Sequence, residues 1–287
     1  MTTTTPTGTT DPAALLERAA GIIASVRSEA PLVHCPSASV TMLFVANGLL
    51  AAGARPMMTW SEAEAPALTG GADALLANLG VLALDGPRTL PQCVTVAREA
   101  GRTWVLDPAA IGAAPVRTPL AETLLDEGPT AIRANASEIL HLARGSAAGR
   151  GADAHDEPEA ALPAGIALAR RTGAVVAVSG AEDLLTDGER VVRSRRGHPL
   201  LTRVTGTGCL LGALVAACLA RSGGDALAAT LAATAWMTLA AESAARTATG
   251  PGTFSPHLLD ALARLDPTDV AAAEGIRVTR PTSRGDA

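Results

Sequence analysis

Short apolar runs alternate with longer segments of helical period along most of this chain. The runs occupy positions 31–34, 55–58, 74–78, 103–106, 130–133 and 174–178. Each is four or five residues long and bounded by polar residues, Gly or Pro, which predicts buried strands; the intervening segments carry apolar residues at three- and four-residue spacing, which predicts helices. Strand, helix and strand in series predict an α/β fold of three layers, a mostly parallel central sheet with helices on both faces. Near 183–194 the pattern changes. DLLTDGERVVRS places a Thr-Asp-Gly-Glu turn between two short extended pieces, which predicts a hairpin and an antiparallel edge on the parallel sheet.

Helices are expected over 12–28, over the apolar stretch 210–220, over the Ala-rich stretch 225–247 and near 256–265, with GPGTF at 250–254 read as a turn. The Thr-rich start MTTTTPTGTT is low in hydrophobicity, so residues 1–11 are expected to be a disordered arm. GSAAGRGADAHDEP at 145–158 reads as an exposed loop inside one domain spanning 12–273, and 274–287 as a loose polar tail.

Composition narrows the chemistry. Hydrophobic residues make up 48% of the 287 positions and aromatics only 2%, so Ala, Val and Leu must do the packing. All 23 basic residues are Arg, which excludes a Lys Schiff base, a pyridoxal anchor and a Walker lysine. The net charge of −5 and the lack of a dense basic stripe argue against nucleic acid as a partner. The apolar stretch at 210–220 is too short to cross a bilayer, so no membrane partner is expected. Cys35, Cys93, Cys209 and Cys218 lie far apart without metal-ligand spacing and no secretory leader opens the chain, so a cytoplasmic protein without disulfides is expected.

The candidate chemistry centres on RVTGTGCLLGAL at 203–214, where a glycine-spaced turn runs directly into a helix. Such a helix start points free backbone N–H groups at one spot and favours an anion there. Gly206, Thr207 and Gly208 form the turn, and Cys209 brings a thiol beside the bound anion. In open α/β sheets ligands bind beyond the carboxyl ends of the strands, which directs attention to His34, Asp107, Asn135, Glu138, Ser179 and Gly180. Each also has a plain structural reading: Asp107 before Pro108 suits a turn, and Asn135 with Glu138 suits a capping box. Arg133 at a strand end fits a phosphate clamp with a planar fork or else a surface ion pair. Met58 closes an apolar run, where core packing is the default. His198, shortly before the glycine turn, reads as a turn residue or a group supporting that turn from behind.

Set side by side, these blocks resemble the hydroxyethylthiazole kinase family of the ribokinase-like superfamily. The blocks are ANGLLAAGARPMM (46–58), NLG (78–80), LDP (106–108), PVRT (115–118), AIRANASEI (131–139), VVAVSG (175–180), DLLTDG (183–188) and GHPLLTRVTGTGCLLGAL (197–214). The resemblance implies transfer of the γ-phosphoryl group of ATP, with Mg²⁺, to the primary alcohol of 4-methyl-5-(2-hydroxyethyl)thiazole in thiamine salvage. It also implies a homotrimer with sites at subunit interfaces. Carried across by position, Arg133, Ser179 and Asn135 become ATP-binding residues, and Met58, Gly206 and His34 substrate-binding ones. Asp107 and Glu138 become metal-site residues, and Cys209 the active-site cysteine with Gly206, Thr207 and Gly208 around it.

The chain departs from that family in four places. Cys35-Pro36-Ser37-Ala38 lacks the Asn amide that the family carries after its histidine, and Leu43 stands at a position commonly Asn. Ala110 and Ala134 replace glycines on the nucleotide side. The first two changes leave open a kinase of another small primary alcohol, or a ligand-binding homologue without activity.

Overall fold

The computed structural model describes residues 11–144 and 157–281. The expected arm at 1–11, apart from Asp11, and the expected loop at 145–158, apart from its last two residues, lie outside the described residues.

Nine strands form one sheet among the described residues, in the order β2-β1-β3-β4-β5-β6-β7-β8-β9. Strands β1 (Leu32–His34), β2 (Arg55–Met57), β3 (Ala74–Asn78), β4 (Thr103–Asp107), β5 (Ala131–Asn135) and β6 (Val175–Ser179) run parallel. Then β7 (Asp183–Thr186), β8 (Val191–Ser194) and β9 (Ile276–Thr279) continue the sheet antiparallel. The expected hairpin is therefore present.

Strand side chains alternate between two cores. Ala74, Leu76, Val105, Ala131, Val175 and Ala177 face one layer; Leu75, Ala77, Trp104, Leu106, Ile132, Val176 and Val178 face the other. The first layer comprises α1 (Pro12–Glu29), α2 (Met42–Ala51), α8 (Thr207–Leu219), α9 (Ala226–Ala245), α10 (Pro251–Arg264) and the short α11 (Pro267–Ala271). The second comprises α3 (Ala65–Gly71), α4 (Gly86–Glu99), α5 (Arg117–Asp126), α6 (Ala136–Arg144) and α7 (Pro158–Thr172). Period-two burial on both faces is why the strands read as nearly continuous apolar runs.

Local chemistry explains the helix starts. Asp11 caps α1 by accepting from Ala13 N–H at 3.1 Å, and Asp225 caps α9 by accepting from Ala228 N–H at 3.1 Å. Pro stands in the first turn of α1, α3, α4, α7, α10 and α11, where its missing N–H costs nothing. The long α9 is buried nearly all round, and its Thr230, Thr234 and Thr238 hydroxyls return to carbonyls one turn back. Alanine elsewhere on α9 lets its neighbours approach closely.

Two expectations are corrected here. GPGTF is no free turn: Gly250 is the N-cap of α10, and Pro251 opens a helix that starts five residues earlier than the pattern near 256 suggested. The tail is not loose throughout, because Ile276–Thr279 pairs with β8 as the edge strand and buries Ile276. A bare β8 would present unpaired backbone groups, and the alternating IRVT segment satisfies them.

The loop after β4 carries Asp107-Pro108-Ala109-Ala110 with Ala110 at φ 61°, in the left-handed region that a Cβ disfavours. The family glycine at this place therefore has a conformational reason. Ala134, inside β5, is fully buried in extended backbone and carries no such strain. Ala110→Gly is expected to raise the unfolding free energy by about 0.5–1 kcal/mol, relief of strain outweighing the added freedom of the unfolded chain. Urea unfolding of the two proteins measures this, and a lower midpoint in the variant would refute it.

Candidate active site

The site is built around the start of α8. Gly206 is its N-cap at φ 98°, and a Cβ there would sit 3.1 Å from Phe44 and Thr41 side-chain atoms. Conformation and space together demand glycine. Thr207 does not point its hydroxyl at a ligand; it donates to the Leu201 carbonyl at 2.8 Å and the Val204 carbonyl at 3.2 Å. Those bonds pin the turn to the 3-10 segment Pro199–Arg203, whose Leu200 N–H donates to the His198 ring at 3.2 Å. The first helical bond of α8 runs from Leu210 N–H to Gly206 O, so the N–H groups of Thr207, Gly208 and Cys209 have no partner within the helix. No acidic residue stands in that first turn.

Six parallel strands deliver the remaining residues to the same edge. Asn78 and Asp107 are register partners at the ends of β3 and β4, and Asn135 and Ser179 at the ends of β5 and β6. Arg133, two residues before the end of β5, reaches over the turn: a Cβ on Gly208 would lie 2.6 Å from its Nη1 and 2.9 Å from its Nη2. Its Nε donates to Ser179 Oγ at 3.3 Å, and its Nη1 lies 3.6 Å from Asp107 Oδ2. Arg133 is thus no surface ion pair: its partner is a buried carboxylate, and its fork lies against the α8 turn.

Asp107 is fully buried; its carboxylate oxygens complete no well-formed hydrogen bond among the described residues, with the Arg133 guanidinium and the Asn78 amide beside them. Burial raises its pKa to about 7, with the Arg133 charge opposing and the Glu138 charge adding to the rise. Glu138 behaves differently. One oxygen accepts Ala110 N–H at 2.8 Å and the other Asn135 N–H at 2.9 Å, while Asn135 Oδ1 accepts Glu138 N–H at 2.9 Å. This is the capping box, extended to hold the Ala110 loop against α6. Asn135 Oδ1 also accepts from the Ser137 hydroxyl at 2.9 Å. Among the described residues no group of three or more His, Cys, Asp or Glu gathers into a metal cluster. The arrangement fits a divalent cation held mostly by phosphate oxygens and water, for which one or two carboxylates suffice. Asp107 would be the carboxylate for that role, with the Glu138 charge nearby.

Cys209 is partly exposed, and its thiol pKa is raised by burial first and by the Asp107 charge second, with Thr41, Asn78 and Arg133 opposing. The thiol is the resting form.

The other two expected residues are placed elsewhere. His34 is wholly buried; Nδ1 pairs with Thr69 Oγ1 at 2.8 Å and Nε2 donates to the Thr59 carbonyl at 3.1 Å. Burial lowers its pKa, so it is a neutral structural group. It is not free to touch a substrate, and this corrects the sequence expectation. Met58 follows β2 at the outer edge of the same sheet end and packs partly buried against the larger core.

Three residues at this edge escaped the sequence reading. Asn78 closes an apolar run as Asp107 does, and the same rule of polar strand ends would have found it. Thr41 packs on Gly206 from the N-cap of α2 and gave no pattern signal. Asp183 opens β7, and its Oδ1 accepts Gly180 N–H at 3.1 Å, which closes the turn after Ser179. Burial raises the Asp183 pKa to about 6, opposed by Gly180 N–H and by Arg133.

That rise gives a pH test. Below about pH 4 the carboxyl is protonated in both folded and unfolded chains. As pH climbs to 6 the unfolded chain ionises first, so stability falls across that window and levels above it. Asp183→Asn keeps the acceptor for Gly180 and is expected to gain up to about 3 kcal/mol over the parent at pH 8, with little gain at pH 4. Urea titrations at both values measure it; an equal difference at the two pH values would count against the assignment.

Comparison with known proteins agrees with this geometry. The model of the hydroxyethylthiazole kinase family matches residues 23–268. The hydroxyethylthiazole kinase of Clavibacter sepedonicus is 48% identical over 89% of this chain and 92% of its own length. That of Klebsiella pneumoniae strain 342 is 52% identical over 83% and 91%. Among solved structures, hydroxyethylthiazole kinase from Pyrococcus horikoshii OT3 superposes with a TM-score of 0.83 at 33% identity, covering 92% of this chain and 99% of that one. A Staphylococcus aureus pyridoxal kinase bound to ADP, at 16% identity and a TM-score of 0.62, shares the fold. The chain belongs to the hydroxyethylthiazole kinase family, phosphotransferases with an alcohol acceptor on a ribokinase-like fold.

Proposed function

We propose that this protein transfers the γ-phosphoryl group of ATP to the primary hydroxyl of 4-methyl-5-(2-hydroxyethyl)thiazole, a salvage step toward thiamine. The observation that carries the reading is the first turn of α8, with three backbone N–H groups free of helical partners and the Arg133 fork laid against Gly208. Phosphoryl transfer asks mainly for positioning and for neutralisation of charge on the transferring group. The N–H groups of Thr207 to Cys209 stabilise that charge, and Arg133 offers two parallel donors to phosphate oxygens in a chain without lysine. Ser179 steadies the Arg133 fork from β6. Mg²⁺, when bound with the nucleotide, neutralises phosphate charge, with Asp107 as the carboxylate that holds it and Glu138 close behind. Cys209, a thiol with a raised pKa, orients the acceptor hydroxyl instead of taking its proton.

The same reading includes a homotrimer with sites at subunit interfaces and a cytoplasmic location. Exposed Val40, Leu43, Leu50, Val81, Leu84 and Val116 supply apolar surface for self-association. No helix among the described residues is long and apolar enough to cross a membrane.

A second reading keeps the nucleotide site and changes the alcohol. It is favoured by Ala38, which is buried and whose Cβ lies 2.9 Å from where a Gly80 Cβ would stand, so the missing Asn amide alters packing beside Asn78. Loss of the activity altogether is disfavoured by the intact α8 turn, Arg133 and Asp107.

Incubation of the purified protein with ATP, Mg²⁺ and the thiazole alcohol is expected to yield the phosphate ester, followed by mass spectrometry. Cys209→Ala is expected to lower kcat about 10- to 100-fold, and Gly208→Val about 1,000-fold or more, because the latter displaces Arg133 and blocks the N–H groups together. Equal losses would contradict the ranking. Product from other small alcohols but none from the thiazole would establish the second reading.

A further inference from the structure

Asn78 is an amide at a place where the fold asks only for an apolar side chain. It is the last residue of β3, wholly buried, between neighbours Ala77 and Leu79 that are wholly buried as well. Its Oδ1 accepts Gly80 N–H at 3.0 Å, and because only the oxygen can accept, that bond fixes which way the amide is turned. Nδ2 then faces inward and completes no well-formed hydrogen bond among the described residues, although the Asp107 carboxylate and the Cys209 thiol lie beside it. A buried donor in that state costs stability that a Leu or Val would not.

The groups facing this amide belong to the reaction. Asp107 is its register partner across β3 and β4, and both Asp107 oxygens are likewise without a well-formed hydrogen bond among the described residues. A Cβ on Gly212 would lie 3.3 Å from Asp107 Oδ2, so the carboxylate is wedged against the second turn of α8. Cys209, one turn earlier on α8, stands between the Asp107 contact at Gly212 and the Thr41 contact at Gly206, and the Asn78 amide and Thr41 hydroxyl act to lower its pKa against burial and the Asp107 charge. The amide is braced from behind. Thr41 donates to the Ala38 carbonyl at 3.0 Å, Arg117 donates to the Gly80 carbonyl, and a Cβ on Gly80 would strike both Ala38 and Asn78 Oδ1.

We infer that Asn78 is a positioning residue for phosphoryl transfer, its two amide N–H groups setting the Cys209 thiol and the Asp107 carboxylate relative to each other at the mouth of α8. A planar amide has one N–H for each acceptor, which a hydroxyl cannot match. Rates depend steeply on such placement, since a misplacement of about 1 Å can cost about 100-fold. The inference rests on the kinase reading of this site, and its test includes a measurement that needs no substrate.

Asn78→Asp keeps the size and the acceptor for Gly80 N–H while removing both donors. Asn78→Ser keeps a single donor and adds no charge, and it serves if the Asp variant does not fold. With the thiazole alcohol, Asn78→Asp is expected to lower kcat about 100-fold with the KM for ATP within about threefold, and Asn78→Ser to fall between it and the parent. Combined with Cys209→Ala, the losses are expected to be clearly less than multiplicative, as for residues acting as a unit. Without substrate, iodoacetamide alkylation of Cys209, read by mass spectrometry with buried Cys35, Cys93 and Cys218 as internal controls, is expected to slow about fivefold or more in Asn78→Asp. Folded variants with kcat and alkylation within about twofold of the parent, or losses that multiply with Cys209→Ala, overturn the inference. If the parent does not phosphorylate the thiazole but alkylation still slows, the substrate reading fails and the placement of Asn78 stands. Unchanged alkylation sinks the placement whatever the parent's activity.

Discussion

The placement of the Arg133 guanidinium against the first turn of α8 is the constraint on which the rest of this site depends. Two positive features meet there, a fixed side-chain charge and the partial charge of a helix N-terminus, and each repels the other. The protein offsets this with Asp107 at 3.6 Å from the guanidinium and with Asp183 two strands away on β7, both buried. Burial holds both carboxyls above the ordinary range, Asp107 at about 7 and Asp183 at about 6, so near neutral pH Asp107 offsets the charge only in part. The result is an edge with a surplus of donors, which suits the phosphate chain proposed to bind there. Glycine at 208 is the steric condition for the contact, since any Cβ there would lie 2.6 Å from Arg133 Nη1.

Such a contact persists only if neither partner can retreat. Behind the turn, Leu210 to Leu219 are buried without exception, so α8 cannot slide back into solvent. In front, Glu242 on α9 clamps the approach to the turn, accepting Gly197 N–H at 2.8 Å and pairing with Arg196 at 2.6 Å. Thr207 then ties the turn to that approach. On the other side, Arg133 stands in a central strand flanked by β4 and β6, and Ser179 holds its Nε. Precision at the site thus derives from the sheet and two buried helices, with side-chain bonds adding the last adjustments.

The architecture was legible in the sequence because both of its signals are local. Strands buried on two faces read as apolar runs, and the six runs fall within a residue or two of β1 to β6. The start of α8 was legible because a glycine-spaced turn runs directly into an apolar stretch of helical period. What stayed hidden depends on partners distant in sequence. Ile276–Thr279 is a strand only because β8 needs an edge partner, and no property of a four-residue segment announces that. His34 looked like a strand-end ligand, yet Thr69 and the Thr59 carbonyl consume both ring nitrogens. Glu138 could be read as a capping residue or a metal-site residue, and only the 2.8 Å bond from Ala110, 28 positions away, reveals what it restrains. Asp183 and Thr41 were missed for the same reason: their environment is made by β5 and by α8.

The four departures from the family also separate by physics. Ala134 is neutral, lying in extended backbone where a Cβ is ordinary. Ala110 costs stability through its φ of 61° but keeps its N–H on Glu138, so the loop carrying Asp107 retains its shape. Leu43 is 77% exposed on α2, and a change from polar to apolar there acts on what the surface meets more than on the interior. Ala38 is the change that reaches the reaction. Its carbonyl holds Thr41, its Cβ limits Gly80, and Gly80 in turn orients Asn78. A larger amide at position 38 would compete for that space and offer its own hydrogen bonds; alanine leaves Asn78 and Thr41 as the polar side chains around Cys209. Selectivity among small alcohols should therefore be sought in this cluster, where one missing amide changes which hydrogen bonds an acceptor can make.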